Sequence, residues 1–224
     1  MTYSILIPIF NEIRILPNLL DKLSKLDKKI EIILIDDGSN DGTKTILKKQ
    51  KSFFCISIKK NSGKGFAIKE GLKIAKNENI IIVDGDLEID IENIPILIQK
   101  YEKSGKKVLA GIRWEKNSNV KFEINTIGNY AINFFFNILY KTNLNDVLCC
   151  FKIINTDFLK SINIKSNGFE FEVETMAKIV LSKVSIMEEK VGYERRTIQE
   201  GKKLRISDAW KIIWVIIYFR LKSN

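Results

Sequence analysis

The sequence predicts a single α/β domain with a mainly parallel β-sheet flanked by helices. Through the first half, short runs rich in isoleucine and valine alternate with stretches whose apolar residues recur at helical spacing, which is typical of βαβ units. Carboxylates and glycines follow these runs, as expected at the carboxyl edge of a parallel sheet, where such folds bind ligands. The chain has 224 residues and contains neither an internal repeat nor a Pro/Gly/Ser-rich linker, which favours one domain.

Five strands are predicted in the first half, at residues 3–8, 30–35, 55–58, 80–83 and 108–110. The helices between them are expected after residue 11 and at residues 43–49, 66–75 and 91–104. Pro8 should close the first strand, and Asn11 should cap the helix that follows it. Because right-handed crossovers place the loops after parallel strands at one edge, the carboxylates after the second and fourth strands should converge on one crevice.

The second half is less regular. An aromatic-rich helix is predicted at residues 124–140, and residues 146–155 should return to the sheet. A helix with acidic residues at its start is predicted at 169–181, followed by a strand at 184–191 and a basic loop at 193–204. Ser207 and Asp208 are expected to cap a final helix that ends near residue 220.

Composition excludes several kinds of catalytic and structural site. The chain has no histidine, which removes Ser-His-Asp and Cys-His catalysis and histidine metal ligands. Cys55, Cys149 and Cys150 are odd in number and form no CxxC pair, so we expect a reducing compartment and neither a disulfide framework nor a zinc site. No signal peptide is evident, and no apolar run approaches the about 18–20 residues that span a bilayer.

The net charge of +10 agrees with three kinds of binding partner, and also with a basic surface that binds none of them. A basic surface attracts nucleic acid, anionic membranes or phosphorylated substrates. The alternative is that the lysines, which are scattered over predicted helix faces, serve only solvation.

The acidic stretch after the fourth predicted strand has the character of a metal site. Asp84, Asp86 and Glu88 alternate along the chain, with Gly85 between the first two. A buried strand cannot hold unpaired carboxylates, so they should lie at its carboxyl end. Carboxylate oxygens there suit Mg²⁺ or Mn²⁺ that also binds substrate phosphates. An acidic turn without metal remains the alternative from this stretch alone.

The order of four segments resembles that of the family 2 glycosyltransferases, nucleotide-sugar enzymes with the Rossmann-like GT-A fold. The segments are residues 7–12 (IPIFNE), 35–43 (IDDGSNDGT), 61–67 (NSGKGFA) and 84–86 (DGD). Residues 146–152 (DVLCCFK) and 201–205 (GKKLR) are similar to segments of one branch, the polyprenyl (dolichyl) phosphate sugar synthases, which include dolichyl-phosphate glucose and mannose synthases. The resemblance implies one domain, 1–224, with a nucleotide-sugar-binding half at 1–115, an acceptor half at 116–204 and a C-terminal amphipathic helix at 205–224.

The resemblance implies a set of residues that bind the nucleotide sugar: Pro8, Phe10, Glu12, Asp37, Lys64, Asp84 and Asp86. Phe10 offers a stacking face for the base, although its position also suits the core. Asp37 can accept from base N–H groups, whereas an Asx turn is the structural alternative for Asp36 and Asp37. Lys64 can reach a phosphate or ribose, or simply belong to a strand-to-helix turn. Asp86, with Asp84, is the expected ligand of Mg²⁺ or Mn²⁺.

The expected catalytic residues are Asp86, Arg113, Asp146, Arg196 and Lys203. A hydroxyl acceptor must lose a proton, for which Asp146 is the candidate base. A polyprenyl phosphate is already ionised, since its second pKa is about 6, and needs only positioning and cations. Arg195 or Arg196 and Lys202 or Lys203 then suit a lid that clamps phosphates, or merely form a solvated loop. Arg113 is expected near the phosphates, with a surface position as the alternative.

The final helix has a composition that favours a membrane surface. Apolar and aromatic residues from Trp210 to Phe219 lie beside the cations Lys211, Arg220 and Lys222, as in helices that lie on anionic bilayers. Residues 134–140 form a second candidate patch. Packing on the sheet or a dimer interface is the alternative for both.

The sequence therefore favours inverting transfer of a hexose from a UDP- or GDP-sugar to a polyprenyl phosphate, at the cytosolic face of a membrane and with Mg²⁺ or Mn²⁺. One alternative is a family 2 enzyme that acts on a glycan or protein hydroxyl with Asp146 as base. Another is a basic nucleic-acid-binding protein, which would leave the acidic strand ends unexplained. A non-catalytic relative of the family is the third.

Overall fold

The computed structural model describes residues 1–113, 124–194 and 206–222, and side chains at 124–126 and 206–208 are left aside. Within these residues seven strands form one sheet: β1 Tyr3–Ile9, β2 Glu31–Asp36, β3 Phe54–Ser57, β4 Asn79–Ile82, β5 Val108–Ile112, β6 Lys152–Asn155 and β7 Ile186–Lys190. The helices are α1 Leu16–Ser24, α2 Thr43–Lys49, α3 Lys64–Ile74, α4 Ile94–Ser104, α5 Ile124–Tyr140, α6 Thr156–Ser161, α7 Phe171–Leu181 and α8 Ile206–Lys222. A 3₁₀ turn, Ile91–Asn93, precedes α4.

The sheet has the order β3-β2-β1-β4-β6-β5-β7. All neighbouring strands in it are parallel except around β6, which pairs antiparallel with both β4 and β5. The predicted, mainly parallel sheet is confirmed, and residues 146–155 do return to it. Since β6 lies between β4 and β5, the second half of the chain is built into the middle of the sheet.

Two apolar cores lie on opposite faces of the sheet, because successive side chains of a strand point to opposite faces. In β1, Leu6 contributes to the core that α3, α5, α7 and α8 cover. Ile5 and Ile7 contribute to the other core, which α1 and α4 cover. The central strands are therefore buried on both sides, which explains their nearly continuous runs of isoleucine and leucine.

Three sequence expectations about element ends are wrong. Pro8 lies within β1, which continues to Ile9. Asn11 does not cap α1: its backbone has a φ of 52°, its side chain accepts from the N–H of Asn40, and the helix begins only at Leu16. The final helix begins at Ile206, ahead of its predicted cap.

One short helix was not predicted. The side chain of Asn155, at the end of β6, accepts from the N–H of Phe158 and so caps α6. The chain then reaches α7 through residues 162–170, which pack against the start of α3.

Among the described residues, no helix combines the length and the apolar character that crossing a bilayer requires.

Candidate functional site

The predicted donor-binding residues gather at the carboxyl ends of β1, β2 and β4, which are neighbours in the sheet. Pro8 and Phe10 are partly exposed at the end of β1. Glu12 is buried, and its backbone N–H donates to Thr43 Oγ1 at the start of α2 (3.0 Å). The convergence of strand ends that the sequence predicts is therefore present.

Asp37 ties the end of β2 to the glycine-rich loop. Its two carboxylate oxygens accept from the backbone N–H groups of Ser62 and Gly63, each at 2.8 Å. Burial raises the pKa of Asp37, and these two hydrogen bonds offset only part of that rise. Its neighbour Asp36 accepts from the N–H of Ser39, as the Asx-turn alternative expects for one of the pair. Asp37 lies at the strand end, and its contact with a nucleotide base stays a prediction.

The glycines of residues 61–65 allow two segments to approach closely. Gly63 has a φ of 100°, and a Cβ there would lie 2.3 Å from the carbonyl oxygen of Asn167. A Cβ on Gly65 would lie 2.6 Å from the carbonyl oxygen of Ser166. The N–H of Phe66 donates to that same Asn167 carbonyl (3.0 Å). These glycines are thus explained by contact with residues 166–168, without reference to a phosphate.

Lys64 is the centre of a buried chain of ion pairs. Its Nζ lies 2.7 and 2.9 Å from the two oxygens of Asp84 and 2.6 Å from Glu172 Oε1. The other oxygen of Glu172 pairs with Lys152 Nζ, which also donates to the carbonyl of Cys149. Burial alone would lower the pKa of Lys64, but the charges of Asp84 and Glu172 outweigh it and raise that pKa well above its ordinary value.

Sequence reasoning did not assign a role to Glu172 or Lys152. Lys152 is a lone charge in an apolar run and directly follows Phe151, whereas Glu172 alternates with apolar residues between Glu170 and Glu174. Both are almost fully buried. A charge in such a run needs a partner, and this was the available signal, but the partner's identity depends on the fold.

The stretch from Asp84 to Glu88 forms a tight turn beyond β4. Asp86 Oδ1 accepts from the N–H of Glu88 (3.1 Å), and Leu87 between them has a φ of 59°. Asp84 and Asp86 are both partly exposed. The alternating carboxylates thus lie on a turn at the open edge of the sheet, and no role is assigned to Glu88.

The donor set at this turn fits a divalent metal that substrate phosphates help to hold. Among the described residues, no group of three or more Cys, Asp or Glu side chains is arranged to hold an ion without other ligands. Mg²⁺ commonly uses only one or two carboxylates and completes its shell with phosphates and water. Asp84 is paired with Lys64. The expectation that Asp86 is the better metal ligand of the two stays a prediction.

Arg113 and Asp146 face each other where β5 ends. Arg113 Nε and Nη2 donate to the two oxygens of Asp146 at 2.8 and 2.9 Å, and its backbone N–H donates as well. Burial alone would lower the pKa of Arg113, but the charge and hydrogen bonds of Asp146 outweigh it and raise that pKa. Arg113 is therefore not a surface arginine. Its guanidinium carbon also lies 5.5 Å from the ring centre of Tyr193.

Four further predicted cations, Arg195, Arg196, Lys202 and Lys203, lie outside the described residues. Their phosphate-clamping role stays a prediction.

Helix α8 packs through one face and exposes another apolar face. Ile212, Val215 and Ile216 are buried. The exposed face, which we call the α8 stripe, recurs at helical spacing and consists of Trp210, Trp214, Ile217, Tyr218 and Leu221, with Trp210 73% and Trp214 62% exposed.

Helix α5 adjoins α8 and carries a similar stripe. Ile127, Phe134 and Ile138 are exposed, each more than half. Tyr140 Oη donates to the carbonyl of Ile216, and Arg220 Nε donates to that of Leu139. Each of these two helices therefore packs on the domain through one face and presents apolar residues on another.

A scan against family models matches residues 4–162 to glycosyl transferase family 2. An uncharacterized protein of Methanocaldococcus jannaschii is 32% identical over 203 residues, which are 84% of this chain and 86% of that protein. A dodecaprenyl-phosphate galacturonate synthase of Rhizobium johnstonii is 26% identical over 188 residues, 80% of this chain. An undecaprenyl-phosphate 4-deoxy-4-formamido-L-arabinose transferase of Pectobacterium atrosepticum is 32% identical over 126 residues, 52% of this chain.

The two lipid-phosphate transferases are longer than the matched region, which spans 55% and 38% of their lengths. Among solved structures, glucosyl-3-phosphoglycerate synthase of Mycobacterium tuberculosis with UDP matches with a TM-score of 0.76 at 16% identity, over 98% of this chain and 80% of that one. The same enzyme with Mn²⁺, UDP-glucose and phosphoglyceric acid matches with a TM-score of 0.75 at 16% identity, over 98% and 79%. At such identities the likeness shows the fold.

Proposed function

The chain belongs to glycosyl transferase family 2, with the GT-A fold, and on that premise we propose that it transfers a hexose from a UDP- or GDP-sugar to a polyprenyl phosphate with inversion. We assign residues 1–115 to the nucleotide sugar, residues 116–204 to the acceptor and residues 205–224 to the membrane. The family accounts for the acidic strand ends, which the nucleic-acid-binding alternative leaves unexplained.

The observation that carries the choice of acceptor is the pair of Arg113 and Asp146. A hydroxyl acceptor needs a base, and Asp146 was its candidate. Both oxygens of Asp146 accept from a buried guanidinium, so they are poorly placed to take a substrate proton. A phosphate acceptor is ionised without a base. The names of two relatives, which act on dodecaprenyl and undecaprenyl phosphate, support the same choice.

The donor would bind across the carboxyl ends of β1, β2 and β4. We assign Phe10 to stack on the base, and Asp37 and Glu12 to accept hydrogen bonds from the nucleoside. Asp84 and Asp86 lie at the end of the adjacent strand, where the diphosphate would be. The Mycobacterium tuberculosis enzyme with this fold was crystallised with UDP-glucose and Mn²⁺, which supports a nucleotide sugar and a divalent metal here.

The metal, when bound, would neutralise the charge of the departing nucleoside diphosphate. We assign Asp86 as its protein ligand and Asp84 as a neighbour whose charge Lys64 offsets. In this proposal Lys64 binds Asp84 instead of the substrate phosphates.

The reaction then needs positioning rather than proton transfer. An oxygen of the lipid phosphate attacks the anomeric carbon from the side opposite the diphosphate, the bond to the diphosphate breaks, and the configuration inverts. Arg113, Arg196 and Lys203 are the cations that we assign to the acceptor phosphate, with Arg113 held in place by Asp146.

The lipid acceptor requires contact with a membrane, for which we propose the α8 stripe and the adjoining stripe of α5. Exposed tryptophans beside Lys211 and Lys222 suit the interface of an anionic bilayer. The net charge of +10 adds a general attraction to it. We place the protein at the cytosolic face, where nucleotide sugars would reach it.

A donor screen tests the first half of this proposal. UDP- and GDP-sugars are screened, each with and without Mn²⁺, and a donor that binds should raise the melting temperature by mass action. At a donor concentration of 100 times Kd, the free energy of unfolding should rise by about 2.7 kcal/mol. Asp86→Ala should remove the part that depends on Mn²⁺. Asp27→Ala, a carboxylate ahead of β2 at the opposite edge of the sheet, is the matched control. Absence of a shift with every donor would count against the proposal.

A further inference from the structure

We propose that Glu172 and Lys152 are positioning residues that hold Lys64 against Asp84, so that the acceptor half of the chain builds part of the donor site. This inference rests on the proposed function. Neither residue is a candidate for contact with substrate, because Glu172 is 4% exposed and Lys152 1% exposed.

The four side chains form a line of alternating charge that runs from the core to the open edge of the sheet. Lys152 lies in β6, Glu172 in the first turn of α7, Lys64 at the start of α3 and Asp84 just beyond β4. Their formal charges sum to zero. Only Asp84, at the end of the line, is substantially accessible, with 26% of its side chain exposed.

Stability alone does not explain this line of charges. Burying ions is costly, and well-packed apolar residues of similar volume often serve stability equally well or better. The line ends at the turn where we place the metal and the diphosphate. The line of charges is therefore suited to fixing the position of the Asp84 carboxylate at its end.

Glu172 gives Lys64 a second anchor. A lysine ammonium is a mobile point charge on a flexible stem, and one carboxylate partner would leave it free to follow that partner. Glu172 Oε1 lies 2.6 Å from its Nζ and gives it a second carboxylate as ion-pair partner. Lys152 in turn holds the second oxygen of Glu172, which fixes the direction of the first.

The loop that leads into the helix carrying Glu172 is fastened to the helix that carries Lys64. The carbonyl of Asn167 accepts from the N–H of Phe66, and Lys69 Nζ donates to the side chain of Asn167 (2.6 Å). The glycines at 63 and 65 allow this close approach. A displacement of this loop, which leads directly into α7, would therefore reach both Glu172 and Lys64.

Three variants separate a positioning role from a structural one: Glu172→Gln, Lys152→Met and the double variant of both. Each single variant leaves the line with one unbalanced charge and should lower the melting temperature. The double variant restores the balance and should recover most of that loss. The Kd of the double variant for UDP with Mn²⁺ should nevertheless stay raised by about tenfold or more, an effect typical of residues that orient metal-binding side chains. GDP replaces UDP in this measurement if the wild type binds only GDP.

Lys178→Met removes another ion pair of α7, with Glu174, and should lower the melting temperature without changing the Kd. A double variant with the wild-type Kd would overturn the inference, as would Glu172→Gln with the wild-type Kd. If these variants do not fold, Glu172→Asp keeps the charge but withdraws it from Lys64, and a wild-type Kd for it overturns the inference.

The proposed function and this inference fail differently. A wild-type protein that binds neither UDP nor GDP with Mn²⁺ would overturn both. A wild-type protein that binds one of them while the variants bind it equally well would overturn the inference alone.

Discussion

The guanidinium of Arg113 forms two hydrogen bonds to the carboxylate of Asp146, at 2.8 and 2.9 Å, and the backbone N–H of Arg113 donates to the same carboxylate. The pair joins the end of β5 to the turn before β6. It also bears on the acceptor, because it engages the carboxylate that the sequence offers as candidate base for a hydroxyl.

Asp146→Asn should reduce sugar transfer because it releases Arg113, yet the acid side of the pH–rate profile should keep its shape. Removing the partner of a buried charge should also lower the free energy of unfolding by about 3–5 kcal/mol. Stopped assays across pH and urea unfolding measure the two effects. Glu189→Gln, which breaks the more exposed pair with Lys100, should cost at most about 1 kcal/mol. Disappearance of the acid limb in Asp146→Asn would instead identify Asp146 as the base.

Gly63→Ala should destabilise the protein, because a Cβ would meet the carbonyl of Asn167 and because the positive φ disfavours L-residues by about 1–2 kcal/mol. Gly128→Ala is the matched control: that glycine lies in α5 with nothing within 4 Å of the added Cβ. It should stabilise the protein by about 0.5–1 kcal/mol. Urea unfolding compares the two, and equal effects would contradict the close approach of residues 63 and 167.

Glu174 should make stability sensitive to acid. Burial alone would raise its pKa, but hydrogen bonds from Lys178, Ser166 and the N–H of Lys165 outweigh it and lower the pKa below 4.5. A carboxyl whose pKa is lower in the folded state stabilises above its unfolded pKa, and this contribution is lost as pH falls through the folded pKa. The difference in stability between wild type and Glu174→Gln should therefore shrink from about pH 6 to about pH 3. A difference that does not change with pH would contradict the assignment.

Trp214→Ser should weaken binding to anionic vesicles by roughly tenfold or more, since a buried aromatic side chain contributes about 1.5–3 kcal/mol. Phe134→Ser, on α5, should act in the same direction if the two stripes form one surface. Phe54→Ser is the matched control, because that side chain is exposed on β3, away from both helices. Vesicle sedimentation measures the binding. Equal binding by all three variants and the wild type would remove the proposed membrane surface.

Much of the fold was predictable because the central strands are continuous apolar runs that only a doubly covered sheet can bury. The convergence of Asp37 and Asp84 at one edge also followed, from the handedness of parallel connections. The antiparallel placement of β6 did not follow, since an apolar run carries no direction. The predicted cap of α1 is wrong because Asn11 adopts a positive φ and uses its side chain in a contact with Asn40.

The partners of the charged residues were the least predictable part of the site. The pattern around Lys64 suggested a phosphate contact, whereas the fold supplies Asp84 and Glu172. Glu172 lies far along the chain in a different helix, and only the fold brings the start of α7 to Lys64. Local sequence determines where a charge lies in its own element, and tertiary contacts determine what it pairs with.

Transfer from a labelled nucleotide sugar into extractable lipid tests the central claim most directly. The protein would be incubated with Mn²⁺, with each donor that binds in the screen, and with vesicles that contain either a polyprenyl phosphate or the polyprenol of the same chain length. We predict label in the organic phase with the polyprenyl phosphate and none with the polyprenol. Transfer to the polyprenol, or no transfer to any polyprenyl phosphate from a donor that binds, would contradict the account.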